Sequence, residues 1–380
     1  MNFELTEDQA LIKETAKRFV KKELPMEWVR QCDDEERYPM EPYKKLAELG
    51  FLGLPFKKKY GGSDGNILDT VILLEEISKG MTALGAAYMQ SVAFGGLSLD
   101  DYGSEEQKET YLPKIISGNT LFCLALTEAN AGSDVASLKT SAVKDGNYFV
   151  INGSKVFITG VQVAEYMLCG VRTNKNVANH KGITMMIVPT KSEGIEIRKL
   201  RKLGMKPVGT NEVFFENVRV PVENVVGGVD QGWYNLMKTL NNERCIAAAV
   251  CVGSAQACID GVLQYVKERE QFGRPIGTFQ ANQHAIVDMQ MEVDNARLLA
   301  YRAAWLSANH KPCVKETSMA KLYASEAFRN VANMGVQLLG GYGFMMEYDM
   351  QRYYRDCKFF EIAGGASQIQ RNIIAKELGL

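Results

Sequence analysis

The sequence predicts an α+β protein in which two helical regions flank a central antiparallel β domain. Three observations predict this class: helical apolar spacing up to about residue 118, short β-branched runs separated by Gly, Asn and Asp over residues 119–232, and long helical patterns from residue 233 onward. We therefore expect an N-terminal helical domain (1–118), a β domain (119–232) and a C-terminal four-helix bundle (233–380).

Two capping boxes predict helix starts in the N-terminal region. Thr6 with Gln9 precedes an apolar helical face, and Ser104 with Gln107 repeats the same arrangement later in the chain. Gly118 follows the second pattern, and a glycine at this position typically ends a helix.

The middle of the chain changes to strand-like patterns. Five runs predict strands: Leu121–Leu126, Tyr148–Ile151, Val156–Thr159, Ile183–Val188 and Glu212–Phe215. Asp145-Gly146 and Asn152-Gly153 each stand between such runs, and both dipeptides are typical of hairpin turns.

Three long helices are predicted in the C-terminal region. They cover Trp233–Arg269, Phe279–Asn309 and Val314–Leu339, with breaks at Gly273–Gly277 and His310–Pro312. Connections this short favour an antiparallel bundle.

Composition and charge limit the possible partners. The chain has 380 residues and is 46% hydrophobic, enough to bury a full-sized core. The 44 Lys and Arg nearly cancel the 45 Asp and Glu, so we expect no nucleic-acid partner. The start Met1-Asn2-Phe3-Glu4 has no basic segment followed by an apolar one, so we expect no secretion signal. No apolar run is expected to reach membrane-spanning length, so we expect no membrane insertion.

Cysteine and histidine usage points away from metal chemistry. Eight scattered cysteines contain no CxxC pair, a pattern typical of reduced thiols in a cytoplasmic protein. The three histidines are well separated, so we expect no metal site. A GxGxxG motif after an early strand is absent, which argues against a Rossmann-type NAD enzyme. The chemistry is therefore expected from carboxylates or from another cofactor.

Three motifs together resemble the acyl-CoA dehydrogenase family. Leu124–Asp134 is similar to its first signature, Gln337 with Gly340, Gly341 and Gly343 to its second, and Arg269–Gly273 to its RxxFG element. Each motif taken alone would equally suit an ordinary turn or a helix C-cap, but they agree in order and spacing across nearly the whole chain. The closest pattern is that of crotonobetainyl-CoA reductase-like members, which also resemble this chain at Trp28, Cys32-Asp33 and Tyr38-Pro39.

The resemblance implies the fold of that family and one FAD per subunit. Small residues in the motifs let backbone N–H groups approach a flavin and its phosphates. Arg269 and Gln271 resemble residues that reach the FAD of a neighbouring subunit, which implies a homotetramer. The residues implied at the cofactor are Leu126, Thr127, Gly132, Ser133, Phe157, Ile158, Thr159, Arg269, Gln271, Gln280, Gln337, Gly340, Gly341 and Gln368.

The family's usual catalytic base is missing here. Many relatives carry it in an Ile-Tyr-Glu-Gly-Thr motif, whereas this chain has Gly364 at the glutamate position. A branch of the family instead carries a glutamate just before an arginine on a bundle helix, and Glu243 with Arg244 matches that placement. We expect Glu243 to be the acid or base and the Gly364 N–H to bind the thioester carbonyl. Glu361 is a second candidate carboxylate.

The resemblance further implies Ser133, Asn241 and Arg244 at the substrate. The implied reaction interconverts a short or branched acyl-CoA and its 2,3-enoyl-CoA, with an electron-transfer flavoprotein as redox partner, and its physiological direction stays open. Two alternatives also stay open. A Gly-Gly sequence at position 364 resembles desulfinase-like lyases, and loss of the usual base would suit a non-catalytic acyl-CoA-binding protein.

Overall fold

The structure, a computed structural model, describes residues 4–380; Met1–Phe3, on which the expectation about a secretion signal partly depends, lie outside the described residues. Helices form the first part of the described chain. They are α1 (Glu7–Glu23), α2 (Met26–Asp34), α3 (Met40–Glu48), α4 (Ile67–Gly80), α5 (Thr82–Tyr88), α6 (Ser98–Tyr102) and α7 (Glu105–Ile116), with a π-helical segment at Met89–Leu97.

Both predicted capping boxes are confirmed. The Thr6 side chain accepts a hydrogen bond from the Gln9 backbone N–H while the Gln9 side chain accepts one from the Thr6 backbone N–H, and Ser104 and Gln107 do the same before α7. Gly118 adopts a left-handed φ of 69° just after α7, so the predicted stop is confirmed as well.

The middle of the chain forms one eight-stranded sheet. Its strands are β1 (Phe122–Ala125), β2 (Ser141–Asp145), β3 (Tyr148–Thr159), β4 (Tyr166–Arg172), β5 (Ile183–Pro189), β6 (Ile195–Lys199), β7 (Thr210–Pro221) and β8 (Val225–Val226). The order is β6-β7-β3-β2-β4-β5-β8, with β1 paired to β4. The sheet is mostly antiparallel, but β4 runs parallel to both β1 and β2.

One of the two predicted hairpins is wrong. Asp145-Gly146 does turn the chain between β2 and β3, where Asp145 pairs with Tyr148. Asn152-Gly153 instead lies inside the continuous strand β3, at a register shift against β7. Gly153 has a φ of 142°, and a Cβ there would lie 2.7 Å from the Thr140 Cα, so the glycine serves a bulge with close backbone packing rather than a turn.

Long helices return in the C-terminal part. They are α8 (Gly232–Glu268), α9 (Gln280–Ala308), α10 (Val314–Leu339), α11 (Gly341–Phe344), α12 (Met350–Ile362) and α13 (Ser367–Glu377), and the short strands β9 (Glu270–Gln271) and β10 (Arg274–Pro275) form a hairpin between α8 and α9. Helices α8, α9 and α10 pack against one another, α12 packs on α8 and α10, and α4 covers another side of α8. The predicted fold class is confirmed, whereas the domain boundaries stay a prediction.

Helix α8 corrects one expectation from the sequence. By length and composition it is apolar enough to cross a membrane, so the expectation that no apolar run reaches this length is wrong. In the fold, 72% of its apolar window is buried, and the helix is surrounded by α4, α9, α10 and α12. Its apolar character is therefore that of a central core helix. This helix also carries the candidate catalytic carboxylate.

Candidate active site

Glu243 and Gly364 meet at one point in the fold. Glu243 lies on α8 with only 2% of its surface exposed, and Gly364 lies in the turn between α12 and α13. A Cβ atom at position 364 would lie 2.4 Å from Glu243 Oε1, a separation that real Cβ atoms essentially never show. The carboxylate from α8 therefore occupies the space in which a side chain at position 364 would begin.

The turn at Gly364 is built from two glycines with left-handed backbones. Gly364 and Gly365 have φ values of 63° and 85°, in the left-handed region that other residues rarely adopt. Gln370 Nε2 donates hydrogen bonds to both of their carbonyl oxygens, at 3.0 Å and 3.1 Å. Lys321 Nζ on α10 donates to the Gly365 carbonyl oxygen at 2.7 Å. The turn is thus fixed by side chains from two helices.

The Glu243 carboxylate is buried and only partly compensated. Within residues 4–380, its Oε2 atom finds no hydrogen-bond partner. Burial raises the pKa of Glu243 above its usual value, while the nearby charges of Lys321 and Arg244 oppose that rise. A buried carboxylate without a full set of partners is costly to the fold, which makes it a candidate for chemistry rather than for stability.

Arg244 and Asn241 lie next to Glu243 on the same helix. Arg244 Nη1 donates to Asn241 Oδ1 at 3.0 Å, and Thr317 on α10 donates to the same oxygen at 3.4 Å. Arg244 Nε is buried and has no partner among the described residues, and burial lowers the pKa of this guanidinium. The structure thus groups Asn241 and Arg244, two of the three expected substrate residues, beside the carboxylate and leaves the Arg244 Nε donor without a partner among the described residues.

Glu361, the second candidate carboxylate, is engaged in ion pairs. It is 6% exposed, and its two oxygens accept from Arg329 Nη1 at 2.6 Å and from Lys358 Nζ at 2.5 Å. Both oxygens therefore already carry a cation. Glu361 stabilises the end of α12 and is poorly suited to accept a substrate proton.

The first group of expected cofactor residues lies at the end of β1 and on β3. Beyond β1, the Leu126 carbonyl oxygen accepts from Lys155 Nζ at 3.0 Å. Lys155 also forms a buried ion pair with Glu128 at 2.8 Å. The motif argument did not single out this pair. The available signal was a lysine directly before the apolar run Val156–Ile158, because such a charge is rarely buried without a partner.

The loop after β1 and the bulge in β3 leave open surface. Gly132 and Ser133 are exposed, and a Cβ at Gly132 would meet nothing within 4 Å. Phe157 has a positive φ of 61° at a second register shift and is 65% exposed. The neighbouring Ile158 is buried and Thr159 half-buried. An exposed aromatic face on a strained backbone, next to an open glycine loop, fits a planar cofactor such as a flavin.

The second group lies on the bundle. Arg269 stands over the Tyr342 ring at 5.5 Å, which brings the β9–β10 hairpin to the end of α10. Cβ atoms at Gly340 and Gly341 would meet nothing within 4 Å, so the backbone there is open to a ligand. Phe272 at the hairpin tip is 94% exposed. The remaining members of this group are also exposed: Gln271, Gln280, Gln337 and Gln368.

The fold and the site together define a flavin-dependent oxidoreductase with a buried carboxylate, that of Glu243. The chain belongs to the acyl-CoA dehydrogenase family, since models of its N-terminal, middle and C-terminal domains match residues 6–119, 123–218 and 230–379. Members of this family are FAD-dependent enzymes that act on CH–CH bonds, so the expected family, enzyme class and cofactor are confirmed. The closer likeness to crotonobetainyl-CoA reductase stays a prediction.

Similar proteins span the whole chain. The probable acyl-CoA dehydrogenase YngJ of Bacillus subtilis (strain 168) is 41% identical and covers 100% of both chains. Subunit CarC of the caffeyl-CoA reductase-Etf complex of Acetobacterium woodii is 39% identical over 97% of this chain and 98% of its own. The solved structure of butyryl-CoA dehydrogenase from Megasphaera elsdenii is 32% identical, covers 100% of both chains and has a TM-score of 0.96.

Proposed function

We propose that the protein interconverts a short or branched acyl-CoA and its 2,3-enoyl-CoA, with Glu243 moving the proton at Cα. The observation that carries this proposal is the buried Glu243 carboxylate, which has an unpartnered oxygen and lies against Gly364. Bound FAD supplies the acceptor or donor for the hydride at Cβ. A proton at Cα can be removed only when the thioester carbonyl is polarised and a base lies within reach.

Each residue of the site has a definite task in this proposal. The Gly364 N–H donates to the thioester carbonyl oxygen, a task that needs no side chain at that position. Glu243 accepts the Cα proton during oxidation of the acyl-CoA and returns it during reduction of the enoyl-CoA. Arg244 and Asn241 hold the substrate beside the carboxylate, and Ser133 contacts it from the β domain. The same residues serve both directions.

An electron-transfer flavoprotein is the proposed redox partner. A relative with 39% identity over nearly the full chain is a subunit of a caffeyl-CoA reductase-Etf complex. The full-length similarity to butyryl-CoA dehydrogenase supports a short acyl group. We further propose a cytoplasmic location, since all eight cysteines are free and buried in the fold.

The proposed active form is a homotetramer in which the two groups of cofactor residues come from different subunits. Arg269 and Gln271 lie at an exposed hairpin, next to Phe272, whose side chain is almost completely exposed. An Arg269→Ala variant is expected to release FAD more readily in dilution than the unmodified protein, as measured by flavin fluorescence of the filtrate. Light scattering that finds a fully flavinylated, active monomer would contradict the shared site.

An anaerobic titration with a panel of acyl-CoA thioesters tests the proposed reaction. Saturated short or branched thioesters are expected to bleach the flavin absorbance, and the Glu243→Gln variant is expected to bind them without bleaching. Cleavage of a C–S bond without bleaching would favour the desulfinase-like lyase. Binding of every thioester without any reaction would favour a non-catalytic acyl-CoA-binding protein.

A further inference from the structure

Lys321 is a buried lysine beside the candidate base. It lies on α10, is only 1% exposed, and donates from Nζ to the Gly365 carbonyl oxygen at 2.7 Å. In a helix sequence such a lysine is usually a solvated surface charge, so its burial needs a reason. The reason lies in the two features it faces, the glycine turn and the Glu243 carboxylate.

The ammonium of Lys321 and the carboxylate of Glu243 favour each other's charged forms. Burial lowers the pKa of Lys321 and the charge of Glu243 opposes this; burial raises the pKa of Glu243 and the charge of Lys321 opposes this. The described residues show no hydrogen bond between the two side chains, so they interact through space. The carboxylate can then be stabilised as an ion while one oxygen stays free for a substrate.

The same lysine restrains the turn that carries the Gly364 N–H. Lys321 holds the Gly365 carbonyl oxygen, while Gln370, which is 0% exposed, holds the carbonyl oxygens of Gly364 and Gly365. Both glycines have left-handed φ values, and because glycine is conformationally permissive, the turn depends on such contacts to hold one geometry. A fixed turn keeps the N–H donor aligned for a carbonyl oxygen.

We propose that Lys321 is a positioning residue that places its positive charge toward the Glu243 carboxylate and holds the Gly364–Gly365 turn in place. The importance of Lys321 for catalysis rests on the proposed function, but its effect on the Glu243 carboxylate does not. Other groups that face this pair are Arg244 on α8, Cys251 on α8 and Glu361 on α12. All of them are unchanged in the variants below.

Infrared spectroscopy tests the effect on Glu243 without relying on turnover. The protonated carboxyl of Glu243 gives a C=O stretching band that is identified as the band missing in Glu243→Gln. The flavin-loaded protein is titrated with pH, and the midpoint is the pH at which this band has half of its full intensity. In Lys321→Met we expect the midpoint to rise by about 1 pH unit or more, the usual size for the loss of a nearby opposite charge.

Two further variants separate charge from hydrogen bonding and control for general effects. Lys321→Gln removes the charge but can still donate to the Gly365 carbonyl, so it tests the charge alone and also serves if Lys321→Met does not fold. Its midpoint should rise as well. Lys315→Met removes the same charge from the exposed start of α10 and should leave the midpoint unchanged.

Activity supplies the second measurement. The rate of flavin reduction by an acyl-CoA should fall at neutral pH in Lys321→Gln and recover at higher pH, whereas damage to the fold alone would lower the rate at every pH. An unchanged infrared midpoint in Lys321→Gln would overturn the proposal. If Glu243→Gln keeps its activity, the proposed function fails, while the infrared titration still decides the effect of Lys321 on Glu243.

Discussion

Two buried glutamates lie close to the same glycine turn, and the fold treats them differently. Glu361 on α12 has a cation on each carboxylate oxygen, from Arg329 and Lys358. Glu243 on α8 has one buried oxygen without a partner among the described residues and is influenced by Lys321 and Arg244 only through their charge. The comparison shows that burial alone does not identify a reactive carboxylate. The two carboxylates differ in whether their oxygens are already bound by cations.

The contrast has a physical basis in the cost of burying charge. A buried carboxylate that makes ion pairs recovers part of its desolvation free energy, and its oxygens are then no longer available. A carboxylate without such pairs keeps a raised proton affinity and a free lone pair, which a general base requires. In the proposed function, proton transfer is assigned to Glu243, while the ion pairs of Glu361 serve the fold.

The largest expected effect is on turnover. Glu243→Gln keeps the shape of the side chain but removes its basicity, so flavin reduction by a reactive acyl-CoA should slow by about 10²–10⁴-fold. Glu361→Gln should keep the rate within about tenfold of the unmodified enzyme, because its oxygens are occupied by cations. Stopped-flow absorbance with equal FAD content measures both. A greater loss in Glu361→Gln than in Glu243→Gln would reverse the assignment.

The second prediction concerns the space shared by Glu243 and position 364. A Cβ at position 364 would overlap Glu243 Oε1, so Gly364→Ala should displace the carboxylate and reduce flavin reduction. Adding Gly364→Glu to Glu243→Ala removes the overlap and returns a carboxylate to the same point. We expect this double variant to regain about tenfold or more of the rate lost in Glu243→Ala, within the usual range for a general base.

The matched control for this rescue is Gly364→Glu in the Glu243→Gln background. Glutamine keeps the atoms that a Cβ at position 364 would overlap, so no recovery is expected there. The flavin reduction rates of the single and double variants together form a double-mutant cycle. Equal recovery in both backgrounds would mean that the two positions do not share one space.

The sequence predicts many of the helices and strands, but it does not predict the contacts between side chains in the candidate site. The capping boxes before α1 and α7 and the long helices followed from local patterns, because caps and periodicity are local. Strand β4 was missed, since six of its seven residues are buried and no alternation remains. The burial of Lys321 and the overlap of Glu243 with position 364 arise from tertiary packing between helices distant in sequence, so no local pattern contains them.

The third prediction concerns how much the ion pairs of Glu361 stabilise the fold. Glu361→Gln removes both ion pairs at the end of α12, and each remaining cation is then partly exposed and can be hydrated. The free energy of unfolding should fall by about 1.5 kcal/mol, near the lower end for hydrogen bonds to charged groups. Chemical denaturation of the flavin-loaded protein measures it. A loss well below 0.5 kcal/mol, roughly the level of an exposed pair, would show that the pairs add little.

The smallest expected effect is a pH-dependent gain in stability on removing the charge of Glu243. Burial raises the pKa of Glu243 in the folded protein above its value in the unfolded chain. The folded state therefore binds this proton more tightly, so the contribution is favourable below the unfolded pKa and is lost as pH rises through the folded pKa. Glu243→Gln carries no such proton, and it should unfold at a higher temperature than the unmodified protein near neutral pH, with the difference vanishing in mild acid.

Glu361→Gln should show the opposite sign near neutral pH, because it loses ion pairs. Thermal unfolding of both variants from mild acid to neutral pH measures the two trends. A Glu243→Gln protein that is less stable than the unmodified one at neutral pH would show that Lys321 and Arg244 fully compensate the buried carboxylate.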